Sequence, residues 1–224
     1  MAGHSAYMTL LAPPGVYTPQ ADTALLAEAL RDEAVPPGAR VLDVGTGTGA
    51  LALAAARRGA RVTAVDISWL AVLTARLNAR LAGVPVRVVR GNLLAPVAGQ
   101  AYDLILSNPP YVPARAATPP RHGAARAWDA GHDGRLLVRR ICREAPRLLR
   151  PGGVLLLVHS ALSGPEASLR ELRSAGLKAA VAAREFIPFG PVLRARRAWL
   201  DSQGLIENAE TTEELVVIRA ERPV

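Results

Sequence analysis

The sequence predicts an α/β fold built on a doubly wound, mostly parallel sheet. Short runs rich in Val, Leu and Ile alternate along the chain with segments of helical periodicity. The first of these runs, Arg40 to Val44, passes into a helical segment through a turn carrying Gly45, Gly47 and Gly49. Four of the apolar runs end in polar or glycine-rich tips, and sheets of this kind bind ligands outside the carboxyl ends of their strands.

Each element follows from its own local signal. After the first strand, ALALAAARRG (50–59) reads as a helix closed by Gly59. RVTAVDIS brings a second strand that ends in Asp66. SWLAVLTARLNARLAG (68–83) is a helix that Ser68 can cap and Gly83 can close, with Leu70, Leu73, Leu77 and Leu81 on one stripe. VRVVRGN is a third strand and YDLILSN a fourth. A helical pattern from about Arg135 to Leu149 is interrupted at Pro146, which cannot donate to a helix. GVLLLVHS (153–160) is a fifth strand, and SGPEASLRELRSAG opens on a Ser163–Glu166 capping box and closes at Gly176. Strands near 178–185 and 214–220 bring the total to seven, with a helix between them in the segment 187–206. The tips DVGTGTGA, Asp66, GNL and NPPY are therefore expected around one crevice.

Composition bounds the function. With 224 residues and half of them hydrophobic, the chain can bury a substantial core. No apolar run approaches the roughly 18 residues that span a bilayer, so no membrane role is expected. MAGHSAYMTLLAPPG lacks the basic-then-apolar pattern of a secretory signal. The lone cysteine, Cys142, lies in a leucine-rich helical stretch and reads as a core residue; its isolation fits a reducing cytoplasm. The net charge of +8 would suit an anionic partner such as RNA. Yet all but one of the 27 basic residues are Arg, the exception being Lys178, and they are scattered, as on a solvated surface.

The strand tips carry the chemistry. A glycine turn exposes main-chain N–H groups to a ligand, and Asp66, one strand–helix–strand unit later, can accept from two ribose hydroxyls. That pattern suits an adenosine-containing cofactor but by itself leaves a nicotinamide cofactor open. The fourth tip reads Asn108, Pro109, Pro110, Tyr111. Asn108 and the Pro109 carbonyl offer two acceptors that can orient a planar nitrogen, the prolines stiffen the loop, and Tyr111 can pack on a flat group. His122, Asp129, His132 and Asp133 match no standard metal spacing, and no metal is expected. Trp69 and Trp199 read as packing residues, Trp128 as a candidate lining of the acceptor groove.

At these residues the sequence resembles the class I S-adenosylmethionine-dependent methyltransferases, and within them the HemK-type protein-glutamine N5-methyltransferases. NPPY, GVYTPQADTALLAEAL (15–30), WDAGHDG (128–134) and LLRPGGVLLLV carry the resemblance, which runs from Gly15 onward. It implies a Rossmann-like seven-stranded sheet and S-adenosyl-L-methionine as cofactor. It implies contacts from Thr23, Asp43, Gly45, Thr46, Gly47, Gly49, Asp66, Ile67, Asn92, Leu93 and Asn108, with Asp43 supporting the glycine loop and Thr23 approaching the methionine end. Helix capping is the other reading of Asp22 and Thr23. Asn92 stands where many relatives carry Asp. The chain reads as a single domain, with residues 1–22 as an extension over the cofactor site and 23–224 as the core. Only about 20 residues precede that core, as in the short form of the family, whose eukaryotic and archaeal members work with a small activator subunit. The function implied is methylation of a protein glutamine amide, in a translation release factor. A nucleic-acid base amino group and a small-molecule nitrogen are the alternatives.

Overall fold

The computed structural model describes residues 10–118, 120, 123–207 and 209–224. In chain order the elements are α1 (Ala21–Asp32), β1 (Arg40–Val44), α2 (Ala50–Arg57), β2 (Arg61–Asp66), α3 (Trp69–Leu81), β3 (Val86–Arg90), β4 (Tyr102–Ser107), α4 (Leu136–Glu144), β5 (Leu149–Ser160), α5 (Pro165–Ser174), β6 (Lys178–Pro188), α6 (Pro191–Ser202) and β7 (Thr212–Glu221). The strands form one seven-stranded sheet in the order β3-β2-β1-β4-β5-β7-β6. Pairing is parallel from β3 to β5, and β7 runs antiparallel between β5 and β6. This is the Rossmann-like seven-stranded sheet that the resemblance implies. The strand order reverses between β1 and β4, the switch point at which such sheets open a crevice.

Side-chain alternation divides the core into two layers. Val41, Val62, Ala64, Leu104, Leu106 and Leu156 face the cluster shared with α1, α2 and α3. Leu42, Val44, Val65, Ile105, Leu155 and Leu157 face the opposite cluster, which α4 and α5 complete. Cys142 is fully buried in that second layer, and burial pushes its thiol up to about 12. Pro146 ends α4 as the sequence predicts, because residues 145–148 tighten into a single 3-10 turn. β5, β6 and β7 run longer than their apolar runs indicate, since strand pairing continues past them. The helix expected within 187–206 is α6.

Four features of the local structure are not apparent from neighbouring residues alone. The leucine stripe of α3 is helical but points outward: Leu70, Leu73, Leu77 and Leu81 are 41–64% exposed. Against the sheet α3 instead sets small and polar residues, Ala71, Val72, Thr74, Ala75, Asn78 and Ala79, which let the helix lie close to it. Asn78 tolerates burial because its amide bonds Leu11 N, Leu11 O and Thr48 O at 2.9–3.0 Å. Trp69 is also exposed and lies under the Arg90 guanidinium, 4.8 Å from its ring centre. Trp199 does pack, in a small cluster with Phe189, Leu193, Leu200 and Ile206. Neither Asp22 nor Thr23 caps α1, which begins before them at Ala21. Ser163 does not cap α5 either; left-handed Gly164 holds the N-cap position. All three side chains serve the site described next.

Candidate active site

The four tips meet through a continuous set of contacts. Gly91, after β3, donates its N–H to the Asp66 carbonyl at 2.9 Å. Asp66, at the end of β2, accepts the Gly47 N–H on Oδ2 at 3.0 Å. Gly45, after β1, lies against the backbone of Asn108, where a Cβ would sit 3.7 Å from the Asn108 carbonyl oxygen. Tyr17, Thr23, Gly45, Gly47 and Asn108 line one pocket at this junction.

The glycine loop is held from beneath. Gly45 and Thr46 both donate to the Val65 carbonyl, at 2.9 and 3.0 Å, fastening the loop to β2. Asp43 Oδ2 accepts from Thr46 Oγ1 at 2.6 Å and from Ala52 N at 3.1 Å, tying the loop to α2. Burial pushes the Asp43 carboxyl up to about 6, against the lowering effect of those two donors. At Gly49, whose φ is +87°, a Cβ would stand 3.0 Å from Leu53 Cδ1 and 3.2 Å from Ala75 Cβ. A side chain there would be strained at that φ and would require Leu53 and Ala75 to give by a few tenths of an ångström.

Asp66 is partly buried, and desolvation raises its pKa although the N–H groups of Ser68 and Gly47 favour its charge. Oδ1 accepts from Ser68 N at 2.8 Å and Oδ2 from Gly47 N at 3.0 Å, and the Ile67 N–H also favours the charged form; three donors do not fill the roughly four acceptor sites of a carboxylate. Beside it, the Ile67 carbonyl accepts from Arg90. Asn92 is exposed, and its Oδ1 accepts from Arg140 at 3.1 Å. Leu93 has φ +50° and is the sole left-handed non-glycine residue among those described.

The strand-four tip is tied to α1. Asn108 Nδ2 donates to Thr23 Oγ1 at 3.2 Å. Tyr111 donates its hydroxyl to Asp22 Oδ2 at 3.0 Å, and Tyr17 donates to the same oxygen at 2.6 Å. Both phenols are held well above their usual pKa, first by burial and then by the Asp22 charge, so they remain hydrogen-bond donors. Beyond the prolines, Val112 N donates to Trp128 O, Ala130 N to Val112 O, and Ala114 N to Gly131 O. WDAGHDG is thus the strand-like partner of the chain leaving NPPY. Gly134 and Ser163 close on the Tyr111 carbonyl, which accepts the Ser163 hydroxyl at 2.7 Å. Arg196 of α6 binds Asp129 at 2.6 Å and Pro113 O at 2.8 Å. Asp133 pairs with Arg139, His132 is exposed, and His122 lies outside the described residues. Among the described residues no group of three His, Cys, Asp or Glu side chains is placed to hold a metal.

A family described as "Methyltransferase small domain" matches residues 7–125. A putative protein N5-glutamine methyltransferase of Methanocaldococcus jannaschii is 36% identical over 177 residues, which cover 79% of this chain and 88% of that protein.

The chain belongs to the methyltransferase small domain family.

Its place is with the HemK-type members. The release factor glutamine methyltransferase of Deinococcus radiodurans is 49% identical over 148 residues, 63% of this chain and 52% of that protein. That of Gloeobacter violaceus is 42% identical over 176 residues, 72% of this chain and 60% of that protein. The chain therefore spans nearly all of the archaeal relative but only about half to three-fifths of these bacterial ones. In fold it is similar to a chain of the E. cuniculi Mtq2–Trm112 complex, with a TM-score of 0.66 at 23% identity, covering 93% of this chain and 99% of that one.

S-adenosyl-L-methionine is the cofactor of this methyltransferase class, and the donor set fits it. Backbone left bare at Gly45 and Gly47 borders the pocket, and the Asp66 carboxylate retains acceptor capacity beside it. Tyr17, Gly134, Ser163 and Glu213 also stand around these residues of the methyltransferase, and no motif in the sequence assigns any of them a role there. Tyr17 and Gly134 stand inside the stretches that carry the family resemblance. Ser163 was disguised as a helix cap. Glu213, near the start of β7, is 7% exposed and held up to about 7 by burial and by Asp22, against a Ser160 hydrogen bond; nothing in its sequence context signals that.

Proposed function

We propose that this methyltransferase acts on the side-chain amide nitrogen of a glutamine in the Gly-Gly-Gln loop of a translation release factor. The observation that carries this reading is Asn108 lining the same pocket as Gly45 and Gly47. A group suited to orienting a planar nitrogen thereby borders the backbone suited to holding the cofactor. When bound, S-adenosyl-L-methionine supplies an electrophilic methyl group and departs as the thioether.

The chain's own residues do the rest. Asp66, with Ile67 beside it, takes the ribose hydroxyls; Asn92 and Leu93 border the adenine, which requires Asn92 to exchange its bond to Arg140. Asp43 and Thr46 brace the loop of Gly45, Gly47 and Gly49 along the methionine portion, with Thr23 at its end. Asn108 Oδ1 and the Pro109 carbonyl accept the two amide hydrogens of the glutamine, which turns the nitrogen lone pair outward. Pro110 limits the loop's freedom and Tyr111 flanks the flat amide. The amide proton leaves to water after transfer, so no strong base is needed beforehand.

The relatives' names support this reading, and the Mtq2–Trm112 structure is described as responsible for methylation of the termination factor eRF1. That complex also supports a small activator subunit for this chain. The outward leucine face of α3 lies beside β3, an edge strand of the sheet, and offers such a subunit an apolar surface. A release-factor substrate places the reaction in the cytoplasm, and among the described residues no helix is long and apolar enough to cross a membrane.

The test combines purified protein, cofactor and release factor of the same organism, with and without candidate small subunits, followed by weighing the tryptic loop peptide. A gain of one methyl on the glutamine supports the assignment. No gain, with label in digested RNA or DNA, would transfer the assignment to a base amino group.

A further inference from the structure

Asp22 is 3% exposed and gathers four donors. Tyr17 and Tyr111 give their hydroxyl hydrogens to Oδ2; Thr23 gives its N–H at 2.6 Å and its hydroxyl at 3.3 Å to Oδ1. A carboxylate only accepts. The single hydrogen of Thr23 Oγ1 is therefore spent on Asp22, and that oxygen can meet Asn108 only as an acceptor. The atom of Asn108 facing it, 3.2 Å away, is accordingly the amide nitrogen. The amide oxygen is left turned to the other side.

We infer that Asp22 is a positioning residue for the acceptor site: through Thr23 it dictates which way the Asn108 amide faces, and through Tyr111 it holds the far end of the NPPY tip. The inference rests on the reading of Asn108 as the group that accepts from the substrate nitrogen. Without Asp22 the Thr23 hydroxyl could donate to Asn108, and the amide could turn over to present nitrogen where an acceptor oxygen is needed. Such a flip changes no volume and breaks no packing. It would harm the chemistry while leaving the fold and the cofactor loop intact. The loop is fastened instead by Asp43 and Val65, which make no contact with Asp22 in the bonds just described. Tyr17 and Tyr111 share one carboxylate oxygen, so they steady the α1 and β4 ends of the same device.

The experiment compares Asp22→Asn, Thr23→Val and Thr23→Ser with wild type, using the release-factor loop as acceptor and S-adenosyl-L-methionine titrated by calorimetry. Thr23→Val keeps the shape of Thr but removes the hydroxyl, and it tests the same relay should Asp22→Asn fail to fold. Asp22→Asn and Thr23→Val are each expected to lower kcat about tenfold to a hundredfold, and in Asp22→Asn, whose side chain does not line the pocket, cofactor Kd is expected to change less than about threefold. Thr23→Ser should restore most of the activity. The Asp22→Asn/Thr23→Val double variant should be little worse than either single one, because both cut the same relay. Wild-type kcat in folded Thr23→Val, or full additivity in the double variant, would overturn the proposal. A second readout needs no acceptor: the Asn108 side-chain NH2 resonances, identified by their loss in Asn108→Asp, should shift and exchange faster in Thr23→Val. Unchanged resonances sink the positioning role. Absence of methyl transfer by the wild type itself, with those resonances still responding, would sink the glutamine reading instead.

Discussion

Gly134 leaves no room for a side chain against Tyr111: a Cβ there would overlap the Tyr111 carbonyl oxygen and stand 2.6 Å from Ser163 Oγ. The same glycine has φ +67°, which an L side chain rarely adopts. Gly134→Ala is therefore expected to displace the NPPY tip, lowering turnover at least tenfold and stability by more than about 1 kcal/mol. Gly176→Ala is the control, since its φ is +86° but nothing lies within 4 Å of the added carbon. Chemical denaturation and turnover of the two variants would separate strain from displacement. Equal turnover in both would remove Gly134 from the site.

Asp66 offers acceptor capacity to two hydroxyls from a partly buried position. Asp66→Ala is expected to weaken S-adenosyl-L-methionine binding at least tenfold, about 1.4 kcal/mol or more, because charge-assisted hydrogen bonds in a desolvated site are among the stronger ones. Calorimetry on the folded variant checks this. Unchanged affinity would place the ribose elsewhere.

Asn108→Ala should separate binding from chemistry. Removing one oriented polar group at a transition state typically costs roughly a hundredfold in kcat. Cofactor affinity should fall much less, since the main role assigned to this residue is on the acceptor nitrogen. Single-turnover kinetics with saturating cofactor measure the effect directly.

Glu213 makes stability depend on pH. Its folded pKa is raised from the ordinary 4.5 to about 7. The folded state thus binds a proton that the unfolded state has already released between those values. Stability relative to a neutral side chain is fully kept below about pH 4.5 and is lost as pH rises through about 7. Glu213→Gln should accordingly raise stability by about 2–3 kcal/mol at pH 8 and change it little near pH 4. Asp43 and His159, held at about 6 and about 4, titrate in both proteins and cancel in the difference. Thermal melts across pH 4–8 would show it; a pH-independent difference would contradict the burial argument.

Much of this protein was legible without coordinates. Strand and helix runs, the Ser68 cap, the break at Pro146 and the convergence of the four tips all follow from near-neighbour chemistry or from the topology that alternating elements impose. Motif residues such as Asp66 and Asn108 announced themselves because turn glycines and prolines leave few structural explanations for the polar groups beside them. What only the tertiary structure decided is which partner each group takes. Ser163 reads as a cap and instead bonds the Tyr111 carbonyl, 52 positions away in the chain. Asp22 and Thr23 read as helix caps and instead bond Tyr111 and Asn108. The leucines of α3 have the right period but face outward, because the small residues between them fit closer to the sheet. Periodicity and turn propensity act over a few residues, so a sequence displays them directly. Hydrogen-bond partnership and the choice of buried face depend on where distant segments arrive, and only the packed chain sets those distances.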